Sequence, residues 1–196
     1  MTTWIENPEG GRARGTRALV RSWTEVLVRP GRFFVTGVGP GDQAPGLTFA
    51  MAVAVAFATG WFATAPSAIP AIVGSPVVSA FVALFVVGLL AAPVGLHLTA
   101  ALAVVSLAVV VRDRGGVSET VQVVAYAAAP FALAGPPIPA LRVACGLYAA
   151  GLLVYGLRTV HNTSWLRAAV AATPAALVGY GVGYRTIAAA RGLFGL

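Results

Sequence analysis

VVSAFVALFVVGLLAAPVGLHLTAALAVVSLAVVV, Val77–Val111, runs for 35 residues without an aspartate, glutamate, lysine or arginine. Wound into one helix it would reach roughly 52 Å at 1.5 Å per residue, well beyond the roughly 30 Å of a hydrocarbon core. The same character extends outward from it. Between Asp42 and Arg112 there is no acid, lysine or arginine at all, and His97 is the only histidine in that interval. Since one crossing takes roughly 20 apolar residues, this interval is long enough to cross a bilayer at least twice. Over all 196 residues, 58% are hydrophobic and 10% charged, against roughly 25% charged in soluble domains. So few polar groups cannot cover a water-exposed surface, and the chain reads as an all-α integral membrane protein.

The net charge of +7 is carried entirely by arginine. A basic chain can bind nucleic acid, but these arginines lie outside the apolar blocks and form no stripe interleaved with aromatics. Nucleic acid is therefore not an expected partner, and the arginines read as topology markers. The single cysteine, Cys145, allows no intrachain disulfide and no Cys/His metal cluster. It reads as a small packing residue, and no metal or cofactor is expected. The first 45 residues lack the short apolar core and cleavage site of a signal peptide, so the first span is expected to serve as the insertion signal.

Residues 1–45 read as a cytoplasmic arm. At roughly 100° per residue, Leu19, Val20, Trp23, Val26 and Leu27 share one arc of a helix over 14–29, while Arg14, Arg17, Arg21 and Glu25 share the opposite side. A basic amphipathic helix of this kind is expected to lie in the headgroup layer; the alternative is docking on the bundle's own cytoplasmic surface. Pro30 is expected to end it, and Phe33-Phe34 then stand where the chain would enter the bilayer. Arg14, Arg17, Arg21, Trp23, Phe33 and Phe34 are thus the expected contacts with anionic lipid headgroups or a membrane or cytoplasmic protein. The loop 37–46 lacks the GK[ST] ending of a phosphate-binding loop and reads as a lead-in.

Residues 46–190 read as a transmembrane bundle of about five helices, over about 47–64, 77–111, 117–133, 141–157 and 168–184. The second either kinks around Pro93 or turns there into two short spans. With five spans and the N-terminus inside, ten arginines are cytoplasmic (12, 14, 17, 21, 29, 32, 112, 114, 158, 167) and three are not (142, 185, 191). Splitting the second span gives nine against four and carries the Arg112-Asp113-Arg114 cluster across the membrane. Five spans in the cell membrane, with a cytoplasmic N-terminus, satisfy the positive-inside rule better.

The order of motifs resembles the Ypt-interacting-protein (Yip) family of small five-span membrane proteins, in its prokaryotic, archaeal branch. The resemblance rests on Pro30 followed by Phe33-Phe34, on Gly115-Gly116 with Glu119, and on Ala125-Tyr126 with Pro130. It continues through the Gly135-Pro136-Pro137 loop and His161-Asn162-Thr163-Ser164 followed by Arg167-Ala168 and Pro174, covering most of residues 19–190. It implies a helical bundle without known catalytic activity. Eukaryotic relatives are linked to vesicle traffic and Rab-type GTPases. That role does not carry over, because a prokaryotic cell lacks that traffic and the arm here is short and basic where the eukaryotic one is longer and acidic.

Several residues stand out against the apolar background. His97 is an ionisable group at membrane depth, a candidate for function, though a neutral imidazole could simply bond a carbonyl freed near Pro93. Glu119 near the start of the third span suits a helix dipole, with Ser118 or Gly116 as its cap. Pro130, four residues after Tyr126, should release a carbonyl near residue 126 and kink the span. His161 and Arg167 flank the last cytoplasmic loop, where Asn162 or Ser164 could cap the fifth span, and Arg142 should snorkel from the end of the fourth. Gly179 and Gly183 form a GxxxG suited to close helix packing, within the chain or in a homo-oligomer. The spans offer no carboxylate pair, no HExxH and no serine with histidine and acid partners, so no catalytic residue is assigned. The expectation is a non-enzymatic membrane organiser or partner-binding scaffold. The alternative is a small-solute or proton transporter, suggested by His97, Pro93 and Pro130.

Overall fold

In lipid, a backbone without water must bond to itself, and a charge-free chain does so as helix. The computed structural model describes residues 15–112 and 114–195, so Arg14 lies outside the described residues. Among them there is helix and no strand. The arm holds α1 (Gly15–Val28) and α2 (Pro30–Thr36). Pro30 thus starts a helix as well as ending one; at the first helical position its missing N–H costs nothing. Then come α3 (Ala44–Thr64), α4 (Pro76–Val86), α5 (Ala92–Val110), α6 (Val117–Ala127), α7 (Pro139–Val160), α8 (Trp165–Ala175) and α9 (Thr186–Phe194).

Four helical stretches are long and apolar enough to cross a membrane: Ala44–Thr64, Pro76–Val110, Pro139–Val160 and Trp165–Gly183. A fifth, Val117–Leu133, is shorter. The apolar run Val77–Val111 falls in a single helical stretch, α4 and α5 joined by one π-helical segment, Val87–Ala91. This turn immediately precedes Pro93, whose ring crowds the carbonyl four residues back and removes one N–H from the ladder; widening the helix there is one way to accommodate it. The last stretch likewise passes from α8 into a π segment, Ala176–Gly183. α9, which follows Arg185, had no counterpart in the sequence reading.

α3 and α6 lie side by side and run the same way. A Cβ on Gly46 would sit 3.0 Å from the Cα of Gln122, and one on Gly60 3.3 Å from the Cα of Gly135. Segments one and three of an alternately crossing bundle must be parallel, and these two are. This gives the bundle two ends, named here for Gly115 and Gly135. α5 packs on α8, α8 on α7, and α6 on α3, α5 and α7. From Thr120 to Phe131 every residue of the short third segment is buried. The bundle is built around it.

Candidate functional site

The third segment cannot complete its own ladder. Pro130 has no N–H to give, and after Ala127 the α-helix tightens into a 3-10 turn, Ala129–Leu133. Carbonyls freed in a dry interior must find other donors. They find them on three different elements. Tyr180 donates its hydroxyl to the Val124 carbonyl at 2.8 Å. Trp23 of α1 donates Nε1–H to the Ala129 carbonyl at 2.9 Å. Arg142 of α7 donates Nε–H to Ala134 at 3.1 Å and Nη2–H to Gly135 at 2.7 Å. These donors on both sides of Pro130 are partners that periodicity could not name.

Arg142 corrects an expectation. It does not snorkel; it is 6% exposed and folds back onto the bundle, its guanidinium 5.3 Å from the Phe57 ring and 5.2 Å from that of Trp61.

The arm corrects another. Phe33 and Phe34, expected to face lipid or a partner, are buried inside the chain. Phe33 meets Tyr126 edge-on at 4.8 Å, and Tyr126 meets Phe49 at 5.0 Å. Phe34 packs near Gly156, where a Cβ would come within 2.9 Å of its ring. Both rings are large apolar surfaces beside a helix lined by small residues, and they fill that space before lipid can. α1 does not lie free in a headgroup layer either. Beyond the Trp23 bond, Tyr148 donates to the Leu27 carbonyl. Ala129 lies twelve residues past the start of α6 and Tyr148 twelve before the end of α7, roughly 18 Å along either helix. α1 is therefore fastened to the flank of the bundle. Ala18, Ser22 and Val26 face inward while Arg17 and Arg21 are exposed.

At the Gly115 end a polar cluster holds the arm's lead-in loop. The buried Gln122 amide brackets Gly39, with Nε2–H donating to its carbonyl at 2.6 Å and Oε1 accepting from its N–H at 3.2 Å. Ser118 Oγ accepts from the Gly41 N–H at 2.8 Å. Glu119 is the third helical residue after Gly116, which occupies the N-cap. Its carboxylate accepts from the Ser118 hydroxyl at 3.2 Å and lies over Gly116, where a Cβ would be 2.5 Å from Oε2. That is the place an acid takes in a capping box.

His161 sits beneath this turn, 1% exposed, its Nε2 3.1 Å from Thr120 Oγ1. The Thr120 hydroxyl also lies 3.2 Å from the Gly116 carbonyl, so it bridges that carbonyl and the imidazole. Nδ1 faces Gly115, 3.2 Å from where a Cβ would stand, with no hydrogen-bond partner among the described residues. Burial holds this histidine below its ordinary pKa, with Glu119 pulling weakly upward and Arg114 pushing down. It is a neutral packing element.

The other marked residues scatter. Ser164 caps α8 by accepting from the Arg167 N–H, and the Arg167 side chain is exposed. The Arg158 guanidinium stacks on Trp165 at 4.6 Å. His97 is exposed on α5, with Nδ1 2.8 Å from the Pro93 carbonyl. Gly179 meets Thr99 within the chain, where a Cβ would come within 2.5 Å of Oγ1, while Gly183 has only the Val178 carbonyl near it. Gln122, Tyr148 and Tyr180 were not singled out from sequence. Gln122 is the one with a readable signal, the only amide side chain inside an apolar span. Among the described residues no three of His, Cys, Asp and Glu come together as a metal site.

Compared with known proteins, the chain matches none of the curated proteins and none of the solved structures. A family model, the Yip1 domain, matches residues 24–184. That range begins inside α1, takes in the buried third segment with its donors Arg142 and Tyr180, and ends at Tyr184, so the chain belongs to the Yip1 domain family of multi-helix membrane proteins.

Proposed function

We propose that this protein is a non-enzymatic membrane scaffold that presents the charged flank of α1, together with the basic Gly115 end, to a protein partner. The observation that carries the reading is α1 fastened by Trp23 and Tyr148 to the side of the bundle with Arg17 and Arg21 turned outward. An arginine facing acyl chains costs roughly 2.5–3.5 kcal/mol even on the mildest scale. A charged strip held alongside a bundle therefore favours a polar partner surface, a second copy or another protein, over bare lipid. At the Gly115 end Arg112, Arg114 and Arg167 are exposed. That end is cytoplasmic in the cell membrane by the positive-inside rule, and anionic headgroups there add roughly 1 kcal/mol per arginine.

A transporter is the competing reading, and the disposition of polar groups counts against it. Tyr180, Arg142, Trp23 and Gln122 are occupied with backbone groups of the bundle, and His97 bonds its own helix. Little is left to line a pathway. The test combines two measurements on the full chain. Cross-linking in native membranes should capture a discrete partner or dimer through α1, lost in the R17A/R21A double variant while helicity is kept. Proteoliposomes should show no proton or solute flux above protein-free vesicles. Capture indifferent to the two arginines, or a flux abolished by H97A, would contradict the scaffold.

A further inference from the structure

Apart from the Gly115 cluster, an apolar cavity of about 430 Å³ opens between α3, the π turn before Pro93, α6 and the last span. It is lined from Ala50 to Trp61 along α3, roughly 16 Å of helix. Both π segments reach it, the first through Val87 and Ala91 and the second through Gly179 and Gly183. π turns are rare and concentrate at functional sites, so two of them bordering one cavity is a construction rather than a packing accident.

Charge stands beside one wall of the cavity. Trp61 forms part of its wall, and two guanidiniums stand beside that ring, Arg142 at 5.2 Å and Arg185 at 4.8 Å. Arg142 spends two of its donors on the Ala134 and Gly135 carbonyls, and a guanidinium has five. Arg185 follows Tyr184, another lining residue, and is held at φ 61 in the left-handed region, a strained conformation for a residue other than glycine. No aspartate or glutamate occurs after Glu119. Glu119 and Asp42 belong to the Gly115 end, and Glu25 lies on α1. Two cations therefore flank the Trp61 wall of an apolar slot, and among the described residues no carboxylate pairs with either.

We propose that this slot binds one anionic phospholipid of the surrounding bilayer, an acyl chain lying along α3 against the two π turns and the headgroup phosphate at the exposed Arg185, with the buried Arg142 guanidinium beside the same Trp61 ring adding positive charge. A cavity of this volume and apolar lining falls within the range of ligand sites, and planar guanidinium forks match phosphate oxygens.

The test is native mass spectrometry of the purified full chain after exchange into detergent doped with phosphatidylglycerol or phosphatidylcholine of identical chains. One phosphatidylglycerol per chain should be retained, at least tenfold over phosphatidylcholine. R185Q should remove that preference and leave the helical content intact. Ala91→Phe, which fills the slot, should lower retention of both lipids. R17A/R21A, which tests the scaffold, should leave retention unchanged, so the two proposals fail separately. Equal retention of the two lipids, retention unaffected by R185Q, or a dimer seated on the slot and dispersed by Ala91→Phe would overturn this proposal.

Discussion

The helix Pro76–Val110 and the segment Val117–Leu133 are neighbours in the chain and treat their backbones in opposite ways. The first is the most apolar of the long helices and the least buried, with 17% of its most apolar stretch inside the bundle against 44% for α7. It accommodates Pro93 with a π turn, and His97 bonds within the same helix, to the Pro93 carbonyl. The second is short, broken by Pro130, buried from Thr120 to Phe131, and has its freed carbonyls met by Tyr180, Trp23 and Arg142. In lipid there is no hydrophobic reward for sending the greasiest helix inward. What earns the centre is polar complementarity and close packing, so high hydropathy marks the lipid face.

That contrast can be broken from its strongest point downward. Arg142→Ala should cost the most, roughly 3 kcal/mol or more, because it strands two carbonyls that a charged donor now satisfies. Reversible unfolding in mixed micelles measures this, and a cost near zero would mean water reaches Ala134 and Gly135. Next, the glycines of the two regions should respond with opposite signs. At Gly135 a Cβ would stand 2.6 Å from the Phe57 carbonyl, whereas at Gly95 nothing lies within 4 Å. Gly135→Ala should destabilise by roughly 1–3 kcal/mol and Gly95→Ala should stabilise by about 0.5 kcal/mol, read in the same assay. Tyr180→Phe should then cost about 1–3 kcal/mol by leaving the Val124 carbonyl unpaired, while His97→Ala on the lipid face should stay within about 0.5 kcal/mol.

The smallest effect is a pH dependence at the Gly115 end. His161 is held below its ordinary pKa of about 6.5 by burial. The unfolded chain therefore binds the extra proton first. Stability should be flat above pH 7, where both states are neutral, and should fall as pH drops below about 6.5. H161Q should flatten that decline; an identical decline in the variant would place the proton elsewhere.

Much of this was legible in the sequence. Charge-free runs located the long apolar helices to within a few residues, and the arginines of residues 112, 114, 158 and 167 gather at one end of the bundle. Ser164 as the cap of α8 and Glu119 in the first turn of α6 follow from local capping chemistry. The rest depends on contacts distant in sequence. Trp23 reaches a carbonyl 106 positions away and Tyr148 one 121 away. An amphipathic face says that a helix has something apolar to rest against, but lipid and a neighbouring bundle both meet that description. Hence α1 and Phe33-Phe34 were expected at the bilayer surface and lie against the chain itself. Arg142 misled for a related reason: a position near a span's end permits snorkelling equally with folding back, and only the carbonyls freed beyond Pro130 decide between them.

The central claim is that the most buried segment is the short broken one and that the long greasy helix is its shield. Solid-state NMR of the chain in a bilayer, transferring magnetisation from lipid acyl protons to assigned alanine methyls, tests it without altering a residue. Ala101 and Ala108 of α5 are exposed and should show strong lipid transfer, while the buried Ala127 and Ala129 should show almost none. Lipid transfer to Ala127 and Ala129 as strong as to Ala101 and Ala108 would contradict it.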